Sequence, residues 1–328
     1  MANPFAFRPL QVTFWILVYF LLLAPIIYLH EFVPAAPSLS PGQGLNLTQA
    51  WADLTVLTND FHPFNSREND VVRAWLLARL EEIRQENYVG GPMFIFDDNV
   101  SNVTMVHLSH GGLGHIPSKS QRAGTYYEGN NMIVYIPGRD DPEILRYGRG
   151  YQYFEKNSTA KAGVLVSAHF DTAPMSPGAS DNGAGLVSIL QMVTYFTLPG
   201  NQPRHGIVAL LNNNKEGGLW GARAFQQYPL RSFCRTFLNL NSAGVGGKTA
   251  LFRASDLGVA DAYRKVSSPF GTVLSSDLHK LGFVESDTDY SVYTKESGLR
   301  GLEMGFYRQQ SKHHTKEDDV QHISLDSI

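Results

Sequence analysis

Residues 163–185, GVLVSAHFDTAPMSPGASDNGAG, contain the strand, the polar strand end and the helix start that decide the predicted fold. The apolar run Gly163 to Ser167 has the length of a buried strand, and Gly183 to Phe196 has the apolar content and length of a helix. The same alternation continues through three further apolar runs and two further helical stretches: Gly206 to Leu211, Leu219 to Gln227, Thr236 to Leu240, Leu257 to Val266 and Gly301 to Phe306. Alternation of this kind predicts an α/β domain around a largely parallel sheet.

The chain before this stretch predicts two helices and three strands. Apolar residues recur at helical spacing from Leu45 to Gln85, which predicts two amphipathic helices interrupted at Pro63. Three β-rich runs follow: Met93 to Phe96, Val103 to Leu108 and Met132 to Ile136. The segment Ser109 to Gly129 is rich in glycine, and we expect it to be irregular.

Composition and charge limit the classes of function. The chain has 328 residues, of which 43% are hydrophobic, and this is enough to bury a large core. Its formal net charge is -3 and it has no long run of like charge, so we expect no nucleic-acid partner. Cys234 is the sole cysteine, which excludes an intrachain disulfide, and its simplest explanation is a small buried side chain.

The N-terminal region predicts a membrane anchor. Thr13 to Leu29 is a run of 17 residues without a charge, about the minimum for a spanning helix. A cleaved signal peptide would have a shorter apolar region, roughly 7 to 15 residues, and then a small-residue cleavage site. Arg8 precedes the run and Glu31 follows it, so the positive-inside rule predicts that residues 31–328 lie outside the cytosol.

These observations divide the chain into four segments. Residues 1–12 are a cytosolic N-terminus, residues 13–29 the transmembrane anchor, residues 30–44 a proline-rich spacer, and residues 45–328 the folded domain. Four acceptor sequences for N-glycosylation agree with a domain outside the cytosol: Asn46, Asn99, Asn102 and Asn157.

Polar residues of one chemical kind follow the predicted strands. His169 and Asp171 lie two apart in an extended segment, where the carboxylate is placed to fix the tautomer of a metal-binding imidazole. Asp181, Glu216 and His314 come later along the chain. Each has an ordinary alternative explanation, namely a helix N-cap, a favourable charge in a first helical turn, and a surface histidine. Ligands of open α/β sheets gather beyond the carboxyl ends of the strands, which is where these residues are predicted to lie.

The order His169, Asp181, Glu216 and His314 resembles the motifs of the co-catalytic zinc aminopeptidases, a metallo-exopeptidase family. Within that family the chain is most similar to the fungal vacuolar membrane proteases, and the similarity covers nearly its whole length. The resemblance implies a three-layer α/β/α zinc-exopeptidase fold with a central mixed, largely parallel sheet, preceded by one transmembrane helix. It also implies a peptide substrate that is cleaved at its amino-terminal residues. The implied location is the vacuolar membrane, with the peptidase-like domain in the lumen.

The resemblance also implies a set of metal ligands. One zinc ion would be held by His169, Asp181 and an acid at position 241, and the other by Asp181, Glu216 and His314, with Asp181 bridging the two. Asp171 would orient the ring of His169. A mixture of imidazole and carboxylate ligands suits zinc.

Two positions depart from that pattern. Lys215 stands where the family has the glutamate that serves as general base, and Asn241 stands where it has an acidic zinc ligand. A lysine acts as a base only if its pKa falls far below the usual value of about 10.4. An amide oxygen is a weaker, uncharged donor for zinc. We therefore expect one bound zinc ion or none and, since loss of a general base costs about 10²- to 10⁴-fold in rate, hydrolysis that is greatly reduced or absent.

A receptor or scaffold is the alternative class of function. The transferrin receptor ectodomain includes a peptidase-like domain of this fold without the activity, and Lys215 and Asn241 agree with such a role. Zinc content distinguishes the two classes, because a scaffold need bind no metal. The chain ends at Ile328, whereas relatives of this type continue into a closing helix and further membrane spans, so we expect a domain truncated at its C-terminus. The sequence indicates no oligomeric state.

Overall fold

A computed structural model describes residues 8–36, 45–109, 121–141, 163–266, 268–271, 275–277, 281 and 287–327. The predicted glycosylation site at Asn157, residues 1–7 of the predicted cytosolic segment and residues 37–44 of the predicted spacer lie outside these ranges.

The first helix, α1 (Pro9–Glu31), contains the predicted anchor. Its 23 residues are long and apolar enough to cross a membrane, and none of them is buried in the domain. Its last turn reaches the domain, where Nε2 of His30 lies 3.2 Å from the hydroxyl oxygen of Tyr307 and Glu31 pairs with Arg308. The anchor is therefore in contact with the folded domain at one end.

Two amphipathic helices follow, as predicted. The side chain of Asn46 accepts the N–H of Gln49 at the start of α2 (Leu47–Leu57), and that of Ser66 accepts the N–H of Asn69 at the start of α3 (Arg67–Glu86). Both are N-cap bonds that satisfy a free donor of the first helical turn. The apolar residues of the two helices are buried in one cluster: Leu54, Leu57, Val72, Leu76, Leu80 and Ile83.

The described residues form nine strands: β1 (Phe94–Asp97), β2 (Asn102–Ser109), β3 (Gln121–Glu128), β4 (Met132–Ile136), β5 (Gly163–His169), β6 (Ile207–Asn212), β7 (Cys234–Leu240), β8 (Ala250–Ala254) and β9 (Arg300–Gly305). Seven of them make one sheet in the order β1-β4-β6-β5-β7-β9-β8. The central strands β6, β5, β7 and β9 are parallel, and the outer pairings are antiparallel. The four parallel strands are those predicted from the strand–helix alternation, so the prediction of a mixed, largely parallel sheet is confirmed.

Strands β2 and β3 form a separate antiparallel pair. The expectation that Ser109 to Gly129 is irregular is wrong for Gln121–Glu128, which pairs with β2 along its whole length. Residue types favour a strand only over Thr125–Tyr127, and Gly124 interrupts the pattern. The partner strand supplies the stabilisation that the local sequence does not reveal.

Helices cover both faces of the sheet. α4 (Ala184–Thr197) packs with α2 and α3 on one face, and α5 (Trp220–Phe225) packs on the other with Val292 and Tyr293. Successive residues of β5 alternate between the two cores, since Val166 belongs to the first and Leu165 to the second. α6 (Leu257–Tyr263) lies near the edge formed by β8 and β9. The predicted three-layer arrangement is confirmed.

The parallel strands end along one edge, so the polar segments that follow them converge there. β7 and β9 approach each other closely at this edge. A Cβ atom on Gly305 would lie 1.4 Å from the carbonyl oxygen of Asn241, so a side chain at that position requires the strand end to move.

Candidate metal centre

His169 is the last residue of β5 and is fully buried. Its Nδ1 atom lies 2.8 Å from the carbonyl oxygen of Asp171 and 3.5 Å from a carboxylate oxygen of the same residue. That carboxylate accepts the backbone N–H groups of Lys215 and Glu216, each at 3.0 Å. Asp171 therefore contacts the imidazole mainly through its main chain, while its side chain holds the loop after β6.

Asp181 lies at the centre of the site, in the turn Ala179–Gly183 that precedes α4. Its Oδ1 atom lies 3.2 Å from Nε2 of His169, and its Oδ2 atom lies 3.1 Å from Nε2 of both His313 and His314. Residue 183, not 181, stands at the N-cap position of α4, so the helix-cap explanation does not account for this carboxylate. Burial opposes ionisation, but Lys215 and the imidazoles outweigh it and hold the pKa of Asp181 well below its usual range.

The turn that carries Asp181 is held by a second buried acid. The carboxylate of Asp318 accepts the N–H of Ser180 at 2.7 Å and the N–H of Asp181 at 3.1 Å, and its carbonyl oxygen accepts the N–H of Ala179 at 2.9 Å. Burial raises the pKa of Asp318 to about 6. Asp318 was not among the predicted site residues, since in the sequence it reads as one acid of the Glu317 to Asp319 run.

Lys215 is buried between the two acids of the site. Its Nζ atom lies 2.8 Å from Oε1 of Glu216 and 3.4 Å from Oδ2 of Asp181. Burial alone would favour the neutral amine, but the two carboxylates outweigh it and raise the pKa of Lys215. These two contacts favour the ammonium form of Lys215, and an ammonium ion cannot act as a base.

Two adjacent histidines complete the site from the segment after β9. The rings of His313 and His314 are stacked, with centroids 3.9 Å apart and an angle of 25° between the planes. Nε2 of His314 also lies 3.3 Å from Oε2 of Glu216. Hydrogen bonds to Asp181 and Glu216 raise the pKa of His314 to about 9. His314 was selected from the sequence, whereas His313 was not.

Asn241 follows β7 and is buried. Its Nδ2 atom donates to the carbonyl oxygen of Ser242 at 3.1 Å, and its Oδ1 atom has no hydrogen-bond partner among the residues that the structure describes. The N–H of Ser242 points to Oδ1 of Asp181 at 3.4 Å. The position for which an acid was expected thus holds an uncharged side chain with one free acceptor.

The donor set on one side of Asp181 fits a zinc ion. Tetrahedral zinc with nitrogen and oxygen ligands at about 2.0–2.2 Å separates neighbouring ligand atoms by roughly 3.3–3.6 Å. Nε2 of His314 lies 3.1 Å from Oδ2 of Asp181 and 3.3 Å from Oε2 of Glu216, and both separations are close to that spacing. On the other side Nε2 of His169 and Oδ1 of Asp181 are 3.2 Å apart, and Glu216, whose Oε1 atom contacts Lys215, is the third side chain of that group. Two groups of three side chains could therefore hold a metal ion, and both include Asp181.

Comparison with known proteins gives consistent results. Residues 152–328 match peptidase family M28. The chain is 47% identical over 333 residues to a vacuolar membrane protease of Pyricularia oryzae, 46% identical over 341 residues to that of Ajellomyces dermatitidis, and 43% identical over 345 residues to that of Neurospora crassa. These alignments cover 99–100% of the chain and 32–33% of each relative, so the chain spans about a third of their length.

Solved structures share the fold. A zinc aminopeptidase from Bacillus subtilis superposes with a TM-score of 0.56 at 13% identity, covering 86% of this chain and 91% of that one. The LapA aminopeptidase of Legionella pneumophila gives a TM-score of 0.54 at 15% identity, covering 86% of this chain and 68% of that one. A glutaminyl cyclase from Bacteroides thetaiotaomicron gives 0.55 at 14% identity, covering 86% and 93%. At such identities the similarity concerns the fold alone.

Proposed function

This chain belongs to peptidase family M28, and on that premise we propose that it is the membrane-anchored, zinc-binding domain of an aminopeptidase-type protease in which peptide hydrolysis is strongly reduced. The observation that carries the proposal is the ammonium group of Lys215, which lies 2.8 Å from Glu216 and 3.4 Å from Asp181 at the position expected for the general base. An ammonium ion has no lone pair with which to take a proton from water.

The residues of the chain divide into those that would hold the ion and those that position them. Asp181, Glu216 and His314 would hold zinc, and His169 and Asn241 would hold a second ion only weakly. The bound ion would polarise the carbonyl group of a peptide substrate as a Lewis acid. Asp171 fixes the backbone of residues 215 and 216 through two N–H groups, so it supports both the ligand and the substituted base position.

A location at the vacuolar membrane, with the domain in the lumen, completes the proposal. The name that the relatives share supports the membrane, and the helix α1 supplies an anchor of sufficient length. Three of the four predicted glycosylation acceptors lie in exposed positions, Asn46, Asn99 and Asn102, where an oligosaccharide could be attached without disturbing the core.

A receptor or scaffold is the second candidate function, and Lys215 is again the residue that favours it. The two ion pairs of Lys215 supply a positive charge to Asp181 and Glu216 without any metal. A scaffold would therefore keep this site intact while binding no zinc.

The experiment combines zinc quantification with a peptidase assay on the purified full chain. We expect at most one zinc ion per chain and little hydrolysis of an aminoacyl p-nitroanilide by the wild type. The variant carrying Lys215→Glu and Asn241→Asp should bind a second ion and hydrolyse the substrate at least about 10²-fold faster, since it regains a base and a charged ligand. Lys265→Glu, which changes the charge of an exposed lysine, is the matched control. Ordinary turnover by the wild type would refute reduced hydrolysis, and a wild type without zinc would favour the scaffold.

A further inference from the structure

His313 has contacts that a surface histidine does not need. Its side chain is only 20% exposed, and its Nε2 atom lies 3.1 Å from Oδ2 of Asp181, the same oxygen that His314 approaches at 3.1 Å. The set Asp181, His313 and His314 offers three ligand atoms that all lie within 4.8 Å of one another.

The local backbone explains how two consecutive side chains reach one oxygen atom. In an extended segment neighbouring side chains point to opposite sides. Here His313 is extended, with φ -58° and ψ 136°, and His314 adopts a left-handed conformation with φ 60°. That conformation is unfavourable for a residue with a side chain, and it turns the second ring onto the first so that the two rings stack.

The charges around Asp181 explain why an additional neutral ligand would strengthen metal binding. The carboxylates of Asp181 and Glu216 contribute two negative charges, and Lys215 offsets one of them through its contacts with Oε1 of Glu216 at 2.8 Å and Oδ2 of Asp181 at 3.4 Å. Oε2 of Glu216 stays directed toward the histidine pair, 3.3 Å from His314. An imidazole nitrogen adds a strong donor for zinc without adding charge, and it can replace part of the affinity lost with the acid at position 241.

We propose that His313 is a metal ligand in this protein and that it binds, together with Asp181 and His314, a single divalent transition-metal ion such as zinc. Oε2 of Glu216, 3.3 Å from Nε2 of His314, is the candidate for the fourth position. Two imidazoles and two carboxylates are a composition that zinc accepts. The proposal rests on the proposed zinc-binding function, and it adds a ligand that the sequence pattern did not assign.

The test measures metal affinity and coordination in the purified full chain, independently of hydrolysis. Zinc affinity is determined by competition with a chelator, and the number of imidazole ligands is determined by X-ray absorption on the zinc form and by the visible spectrum of the cobalt form. The variants are His313→Gln, His314→Gln and, as the matched control, His322→Gln, which removes a histidine paired with Asp319 outside the site. Circular dichroism of the metal-free forms verifies that each variant is folded.

We expect His313→Gln to lose as much zinc affinity as His314→Gln, more than the roughly 10- to 100-fold that follows from loss of an outer-shell partner. The X-ray absorption spectrum of the zinc form should show one imidazole ligand fewer, and the visible bands of the cobalt form should shift. An unchanged imidazole count in His313→Gln would overturn the proposal while leaving the proposed zinc-binding function in place. A wild type that binds no zinc would overturn both.

Discussion

Lys215 changes the charge of the site, because it places a positive charge in contact with two acids. Its Nζ atom contacts one oxygen of Asp181 and one of Glu216, which are the groups that metal ions would share. The carboxylates are thus neutralised in part before any ion arrives.

A buried acid next to the site gives a prediction about pH and stability. Asp289 is fully buried, accepts one hydrogen bond from Asn212 at 2.8 Å, and leaves Oδ1 without a partner in the described chain. Burial raises the pKa of Asp289 to about 6, although His169 and Lys215 act in the other direction. This pKa is higher than that of Asp289 in the unfolded chain. The contribution of protonated Asp289 to the free energy of unfolding is therefore complete below about pH 4 and is lost as the pH rises through about 6.

We therefore expect the free energy of unfolding of Asp289→Asn, relative to that of the wild type, to rise between pH 4 and pH 7. The change should be at most roughly 3 kcal/mol, the equivalent of the raised pKa. Denaturant unfolding of the metal-free protein at both pH values measures it. Asp261→Asn, which removes an exposed carboxylate, is the control. A difference between Asp289→Asn and wild type that is the same at both pH values would contradict the interpretation.

Some residues of the site could be selected from sequence and others could not. His169, Asp181, Glu216 and His314 each follow a predicted strand, and the structure brings all four together, although their roles stay predictions. Asp318 and His313 act through contacts with Asp181 that depend on how two distant segments pack. No local pattern marks such contacts, so sequence reasoning selected His314 but not His313 and, of the two acids that support the site, Asp171 but not Asp318.

At the scale of elements, a row of polar side chains crosses four strands inside the sheet. Ser167 on β5 donates to Asn239 on β7 at 2.8 Å, and Asn239 donates to Glu303 on β9 at 3.0 Å. Glu303 in turn pairs with Arg253 on β8. Both charged residues are buried, so the row satisfies polar groups that would otherwise be unpaired in the core.

Replacing Glu303 by Gln should destabilise the domain by about 3–5 kcal/mol, because the guanidinium of Arg253 would remain buried beside an uncharged partner. Denaturant unfolding measures the loss. The double variant Arg253→Met with Glu303→Leu removes both charges and should recover most of the stability, since apolar residues can fill the space. Asp256→Asn breaks the exposed pair with Arg300 and should have little effect. If Glu303→Gln were as mild as Asp256→Asn, the row would not be a stabilising network.

The elements that carry the site were predictable because strong hydrophobic patterns specify them. β5 and β6 are short apolar runs that are buried on both faces. In β7 and β9 buried residues alternate with more exposed ones, which fixes the face that each strand turns to the core. β3 lacks such a pattern, and it forms because β2 is available to pair with it. Elements stabilised by their own residues are therefore visible in the sequence, whereas those stabilised by a neighbour are not.

At the scale of the whole molecule, the anchor and the metal centre are connected through the segment that follows β9. The end of α1 contacts Tyr307 and Arg308, and the stacked histidines follow shortly afterward in the chain. A chain segment spans at most about 3.3–3.6 Å per residue, so the six residues from Arg308 to His314 place the metal centre within roughly 20–22 Å of that contact. The end of α1 therefore contacts the domain within that distance of the site.

We predict the side of the membrane on which this domain lies from a small charge difference, and the glycosylation acceptors allow a test of that prediction. Arg8 lies before α1 and Glu31 at its end, which favours export of the domain. We expect the full chain made in microsomes to carry N-linked sugars, seen as a mass that falls on treatment with a glycosidase. Substitution of all four acceptor asparagines by glutamine should abolish this fall. Exchange of the flanking charges, Arg8→Glu with Glu31→Arg, should lower the glycosylated fraction, because the bias depends on so few residues. A wild type that stays unglycosylated and open to added protease would place the domain in the cytosol and overturn the predicted orientation.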